Sequence, residues 1–150
     1  MRKRVYTAGA MQAYVGSSRA TQWRDEAESY FYNRDADFKI IKPTDYYEYG
    51  KSHHKTEKEI MRYELRLVKN ADDVLVNLND LRSSTGTKDE ILYAYINDVP
   101  VIGFIDEDLS GDELVERVHP WKYEQCERIE TGTGSMKAAI DYIIEYYGET

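Results

Sequence analysis

Two runs constrain the fold of this chain more than any other feature. Asp73-Val-Leu-Val-Asn-Leu78 and Pro100-Val-Ile-Gly-Phe-Ile105 carry apolar residues at neighbouring positions instead of at every second one. A strand with one face in water alternates, whereas a strand apolar throughout is buried on both faces, as in a parallel sheet covered by helices on either side. The flanking segments agree. Arg4–Ala8 and Phe38–Ile41 read as further strands, the second closed by Pro43, and Cys126–Glu130 reads as a last, edge strand. Between them lie stretches of helical period. Gln22–Phe31 has Trp23, Ala27, Tyr30 and Phe31 at helical spacing, and Thr56–Asn70 has Ile60, Tyr63, Leu67 and Val68 in one stripe. Thr56 with Glu59 has the capping-box spacing. Lys88–Asn97, Asp112–Val118 and Ser135–Tyr147 complete the set. Thr44–Lys55 reads as a tyrosine-rich loop, of a length usually functional or mobile in a compact domain. Strand and helix alternate throughout, so the expected class is α/β: an open doubly wound parallel sheet of about five strands, flavodoxin-like or Rossmann-like.

With 150 residues the chain fits one domain, 1–150, able to bury ~70% of its unfolded surface. A formal net charge of −8, with basic residues scattered among acids, argues against a nucleic acid polymer as partner. A small anion stays open, because backbone amides at a helix start hold one phosphate without net positive charge. No apolar run is long enough to span a membrane, and Met1–Gly9 lacks a signal-peptide core, so no membrane association is expected. A lone cysteine, Cys126, fits a reducing, cytoplasmic setting and reads as a bystander. His53-His54 has no third ligand at a recognisable spacing, and neither a metal nor a cofactor is expected. Of the 14 tyrosines, Tyr46, Tyr47, Tyr49, Tyr146 and Tyr147 could line a pocket or stack on a base, or serve packing alone.

An open parallel sheet binds ligands at the carboxyl ends of its strands. Three segments should converge there: the end of the first strand (Tyr6–Met11), the end of the third (Asn77–Glu90) and the loop after the second. The first two carry unusual chemistry. Thr7-Ala-Gly-Ala10, ending the first strand, is small enough for a ligand to approach the backbone. Asn77-Leu-Asn-Asp-Leu-Arg-Ser-Ser-Thr-Gly-Thr-Lys-Asp-Glu90 leaves a buried strand with more hydroxyl and glycine than a plain turn needs. Its Ser84-Thr-Gly-Thr87 offers hydroxyls and free amides to a sugar or phosphate oxygen. Glu90, expected in the first turn of the following helix, reads either as an acid favouring the helix dipole or as a site residue pointing into the crevice. Glu64 reads either as a helix-surface acid or as part of the same site.

Four segments, in order and with matching spacing from about residue 4 to 105, carry a likeness. They are Val5-Tyr-Thr-Ala-Gly-Ala-Met11, Glu64-Leu-Arg-Leu-Val-Lys-Asn-Ala-Asp72, Ser84-Thr-Gly-Thr-Lys-Asp-Glu90 and Asn97-Asp-Val-Pro-Val-Ile102. Together they resemble the nucleoside 2-deoxyribosyltransferase family, which includes nucleotide N-glycoside hydrolases. The resemblance implies a retaining displacement at the anomeric carbon of a nucleoside or nucleotide, with no cofactor. It implies Glu90 as the nucleophile that expels the base and holds the sugar as an ester. Tyr6 would orient that carboxylate, and Glu64 would assist at the base or sugar. Gly9, Ala10 and Met11, with Ser84, Thr85, Gly86 and Thr87, would line the substrate. The resemblance also implies a homo-oligomer, dimer or higher, in which a neighbouring subunit completes the site.

Two positions depart from the family pattern. Glu64 stands where the family usually has aspartate, one methylene shorter. Ser84 stands where the transferases commonly carry an aspartate near the sugar 5′-hydroxyl, and the hydrolase branch has serine there. A hydroxyl can donate to a 5′-phosphate that an acid would repel. The basic residue of the hydrolases' first loop has no clear match in this chain, Gln12 and Arg19 being the nearest candidates. The same departures suit an alternative, a non-catalytic nucleotide-binding or sensing module of the same fold.

Overall fold

The structure, a computed structural model, describes residues 2–11, 18–48, 51–52 and 55–148. Five parallel strands form the sheet: β1 (Lys3–Ala8), β2 (Phe38–Ile41), β5 (Asp73–Asn77), β6 (Val101–Ile105) and β7 (Arg128–Thr131), in the order β2-β1-β5-β6-β7. A small antiparallel pair, β3 (Tyr47–Glu48) with β4 (Lys51–Ser52), stands apart from it. The helices are α1 (Arg19–Asn33), α2 (Glu57–Lys69), α3 (Thr85–Ile96), α4 (Gly111–Val118), α5 (Pro120–Gln125) and α6 (Ser135–Tyr147). The strand order reverses at β1, so the sheet is doubly wound and flavodoxin-like, as the unbroken apolar runs require.

Both faces of the sheet are buried, and each carries its own core. Against α2, α3 and α4 lie Tyr6, Ala8, Val74, Val76, Val101 and Ile105, packed with Val68, Ile91, Leu114 and Val118. Against α1 and α6 lie Val5, Leu75, Ile102 and Phe104, packed with Trp23, Phe31, Ile140 and Ile143. β5 and β6 are buried at every position, and tightly so. A Cβ on Gly103 would stand 2.6 Å from Leu78 Cδ1, so only glycine lets that side chain close over β6.

Several boundaries shift for local reasons. α3 begins at Thr85, three residues earlier than its apolar spacing suggests, because Ser84 caps it and the Ser84 and Thr87 hydroxyls meet at 2.5 Å. Glu90 is therefore in the second turn, too far from the first amides for the dipole reading to account for it. The stretch Thr44–Lys55 is not plain loop, since it holds β3 and β4 after a 3-10 turn at Pro43–Asp45. The last strand starts at Arg128, and Cys126 instead closes α5, a six-residue helix with proline at its start that has too little apolar period to be read in sequence. Burial pushes the Cys126 thiol up to about 12, which leaves it unreactive at neutral pH. Thr56 caps α2, its hydroxyl accepting from Glu59 N at 3.2 Å, but the capping box is not closed, since the Glu59 carboxylate accepts from Lys55 N at 3.1 Å. Tyr142 and Tyr146 stack on each other at 4.4 Å, and Tyr46 packs edge-on against Tyr63. No helix among the described residues is long and apolar enough to cross a membrane, and His53, His54 and Gln12 lie outside them.

Candidate active site

Parallel pairing of β1 with β5 sets Ala8 opposite Val76, so the turns leaving these two strands run side by side at one edge of the sheet. Beneath that edge the interior holds buried polar side chains. Tyr6, wholly buried in β1, faces α3, and its hydroxyl donates to Glu90 Oε2. Glu90 is itself only 6% exposed. A carboxylate so enclosed ordinarily needs strong partners. Glu64, half-buried on α2, completes the group, near enough for its charge to act on both Tyr6 and Glu90.

The electrostatics follow from this crowding. Burial pushes the Glu90 carboxyl well above its ordinary value and the charge of Glu64 adds to it, while the Tyr6 hydrogen bond and Arg24 pull down. Glu64 is raised mainly by burial, opposed by Arg24 and helped by Glu57. Burial, then the two glutamates, raises the Tyr6 hydroxyl, so it stays a donor. The negative charge of Glu64 disfavours ionisation of Glu90, so the two carboxyl groups lose their protons at different pH. Such separation lets one carboxyl attack while the other protonates a leaving group.

The remaining candidates fall into two groups. Gly9 and Ala10 are buried and Met11 is half-buried at the end of β1. Gly9 rests on an aromatic floor, where an added Cβ would come within 2.9 Å of the Trp23 ring and 3.2 Å of Asn77 Cβ. On the other side Thr85 and Gly86 are exposed at the start of α3, with open space over Gly86. Ser84 is half-buried and Thr87 is 2% exposed, its hydroxyl committed to Ser84. Asn77 and Asn79 tie the end of β5 to β6. Asn77 Oδ1 accepts from Asn79 N at 2.9 Å, and Asn79 Oδ1 accepts from Asp106 N at 3.2 Å. An open groove of about 640 Å³ along α1, reaching Met136 and Lys137, is lined by none of these residues.

Arg24 was not singled out from the sequence, yet it is one of the largest fully buried side chains. Its signal was there: Arg24 sits in helical register with Ala20, Ala27 and Phe31, an arginine on an apolar stripe. Among the described residues no cluster of three or more His, Cys, Asp or Glu is arranged to hold a metal.

Fold and site together define a class: a flavodoxin-like sheet with a buried tyrosine–glutamate pair beside a second glutamate. Solved structures share this fold. A conserved protein from Enterococcus faecalis V583 superposes with TM-score 0.71 at 14% identity, covering 97% of this chain and 99% of that one. The CMP N-glycosidase BcmB from Clostridium botulinum follows with TM-score 0.59 at 13% identity, over 96% and 99%. A 2-deoxyribosyltransferase from Bacillus psychrosaccharolyticus gives TM-score 0.55 at 18% identity, over 77% and 82%. No protein-family model and no curated protein sequence matches the chain.

Proposed function

We propose that this protein cleaves the N-glycosidic bond of a (deoxy)nucleoside or its 5′-monophosphate, passing the sugar through an ester on Glu90 to another base or to water. The observation that carries the reading is the buried Tyr6–Glu90 hydrogen bond with Glu64 beside it. The fold shared with an N-glycosidase and a deoxyribosyltransferase supports it.

In this reading Tyr6 holds Oε2 of Glu90 and leaves Oε1 to attack C1′. As the new C–O bond forms, the C1′–N bond breaks and its electron pair goes to the base, which takes a proton from the carboxylic acid of Glu64. General acid help of this kind is worth about 10²–10⁴-fold. In the second half Glu64 accepts the proton of an incoming base or water, which attacks C1′ and releases the Glu90 carboxylate. The exposed start of α3 and the Gly9–Met11 turn hold the sugar and any 5′-phosphate, with a second copy of the chain expected alongside.

The test is base release. Purified protein is given nucleosides and 5′-monophosphates, each with and without a second free base, and products are separated with mass detection. Free base or exchanged nucleoside is the expected result. Exchange that requires the second base marks a transferase, and base from monophosphates alone marks a hydrolase. Saturable binding with no product across the panel would replace this reading by the sensing module.

Tyr6→Phe checks the orienting role. Losing a hydrogen bond to a charged group costs about 1.5–3 kcal/mol, so kcat/KM should fall about 10–100-fold. The bond holds the Glu90 carboxyl down, so its loss should also move the acidic limb of the pH profile to higher pH. Unchanged kcat/KM in a folded Tyr6→Phe protein would remove Tyr6 from the mechanism.

A further inference from the structure

We propose that Arg24 is a positioning residue of this site: its guanidinium fixes the backbone turn after β1 and supplies the permanent positive charge against which the Glu64–Glu90 pair ionises. The role rests on the reading of Glu90 given above.

The geometry comes first. Arg24 lies on the buried stripe of α1, and its head reaches across to the carboxyl end of β1. Nε donates to Thr7 O at 3.2 Å, Nη2 to Gly9 O at 3.1 Å and Nη1 back to Ala20 O at 2.7 Å. Thr7 is held from the other side as well, its hydroxyl donating to Ile41 O at 2.8 Å. Thr7 follows Tyr6 directly, and Gly9 opens the turn assigned to substrate. One planar fork thus sets both the strand that carries the tyrosine and the turn that meets the ligand. Lysine has no such fork, because its three donors radiate from one nitrogen.

A buried guanidinium is a costly way to hold carbonyl groups that a neutral donor could satisfy. The charge itself has a use here. Tyr6 from β1 and Glu64 from α2 act on Glu90, the exposed Asp89 next to it on α3 adds a weaker negative charge, and of the groups that shift Glu90 Arg24 is the positive one. Glu57 adds a further negative charge near Glu64. Arg24 is the cation that offsets this group, and its field lowers Tyr6, Glu64 and Glu90 alike. A neutral residue fastening α1 to β1 would have no such effect.

Two variants separate the two jobs. Arg24→Gln keeps a donor and loses the charge, whereas Arg24→Lys keeps the charge and loses the fork. With Arg24→Gln the acidic limb of kcat/KM should move up by about one pH unit or more. With Arg24→Lys the limb should stay in place while KM rises several-fold through the displaced Gly9 turn. The Glu90 carboxyl is also titrated directly by carbon NMR of glutamate-labelled protein, assigned with Glu90→Gln. That titration reads the same shift even if the wild-type protein turns over no substrate, so failure here is separable from failure of the glycosidase reading. A Glu90 midpoint unchanged in folded Arg24→Gln would overturn the proposal. If Arg24→Gln does not fold, a limb that moves in Arg24→Lys, with the charge retained, would overturn it equally.

Discussion

Glu90→Ala should lose base release by on the order of 10³-fold or more while the sheet and helices remain intact. Removing a residue that forms the covalent intermediate deletes a route, whereas losing a residue that merely polarises one leaves that route slowed. The alanine leaves space where the carboxylate stood. A small external carboxylate such as formate, added at high concentration, should restore part of the activity by attacking C1′ in its place. Glu90→Gln keeps the shape and the Tyr6 contact but cannot attack, and should be equally inactive. It should also be the more stable protein at neutral and higher pH. In the wild type the Glu90 carboxyl is raised by burial and by Glu64, so the folded state binds more protons than the unfolded chain above the ordinary glutamate range. Stability therefore falls as pH rises through that window, and glutamine escapes the fall. An inactive but more stable variant is the signature of a residue held for chemistry at a cost in stability. Base release above about a tenth of wild type in either variant would rule out Glu90 as nucleophile.

The sheet was legible because burial on both faces leaves a direct trace. Asp73–Leu78 and Pro100–Ile105 had no other comfortable place than the middle of a parallel sheet, and they pair with each other there. The edges were less legible. β7 is only partly buried, so its apolar signal is diluted and its start fell two residues away from the expected one. The start of α3 leaves no apolar trace. Its first turn, Thr85-Gly-Thr-Lys88, is set by the Ser84 cap. That boundary takes Glu90 away from the helix start, so the helix dipole does not account for its burial. Tyr6 and Glu90 were named from their places in a motif, and the structure joins them by a hydrogen bond between residues 84 apart in sequence. Arg24 escaped because an arginine inside a helix is ordinarily a solvated one. Its hydrogen bonds go to backbone carbonyls, which carry no sequence signal at all.

The opposite edge of the sheet should set how stability responds to pH. Asp73 opens β5, pairs across from Val5, and is fully buried, and among the described residues neither of its carboxyl oxygens has a hydrogen-bond partner. Burial, with Asp72 and Glu127 adding to it and Lys3 opposing, raises its carboxyl to about 7. An unfolded aspartate ionises near 3.9. Between those values the folded state holds a proton that the unfolded chain has lost. The slope of stability with pH is then negative, and the loss is complete once pH passes the folded value. A difference of about three pH units corresponds to a loss of a few kcal/mol, a large share of a small domain's total. Asp73→Asn keeps the shape and cannot ionise. It should match the wild type within about 1 kcal/mol near pH 4.5, where Asp73 is protonated, and exceed it by about 2–4 kcal/mol at pH 8. Urea denaturation of the two proteins across that range measures the gap directly. It should open between about pH 4 and 7 and stay level above. Because Asp73 sits at the amino end of the strands, the substitution should leave base release untouched. A gap of constant size at every pH would mean that the Asp73 carboxyl finds a partner and stays ionised in the folded protein.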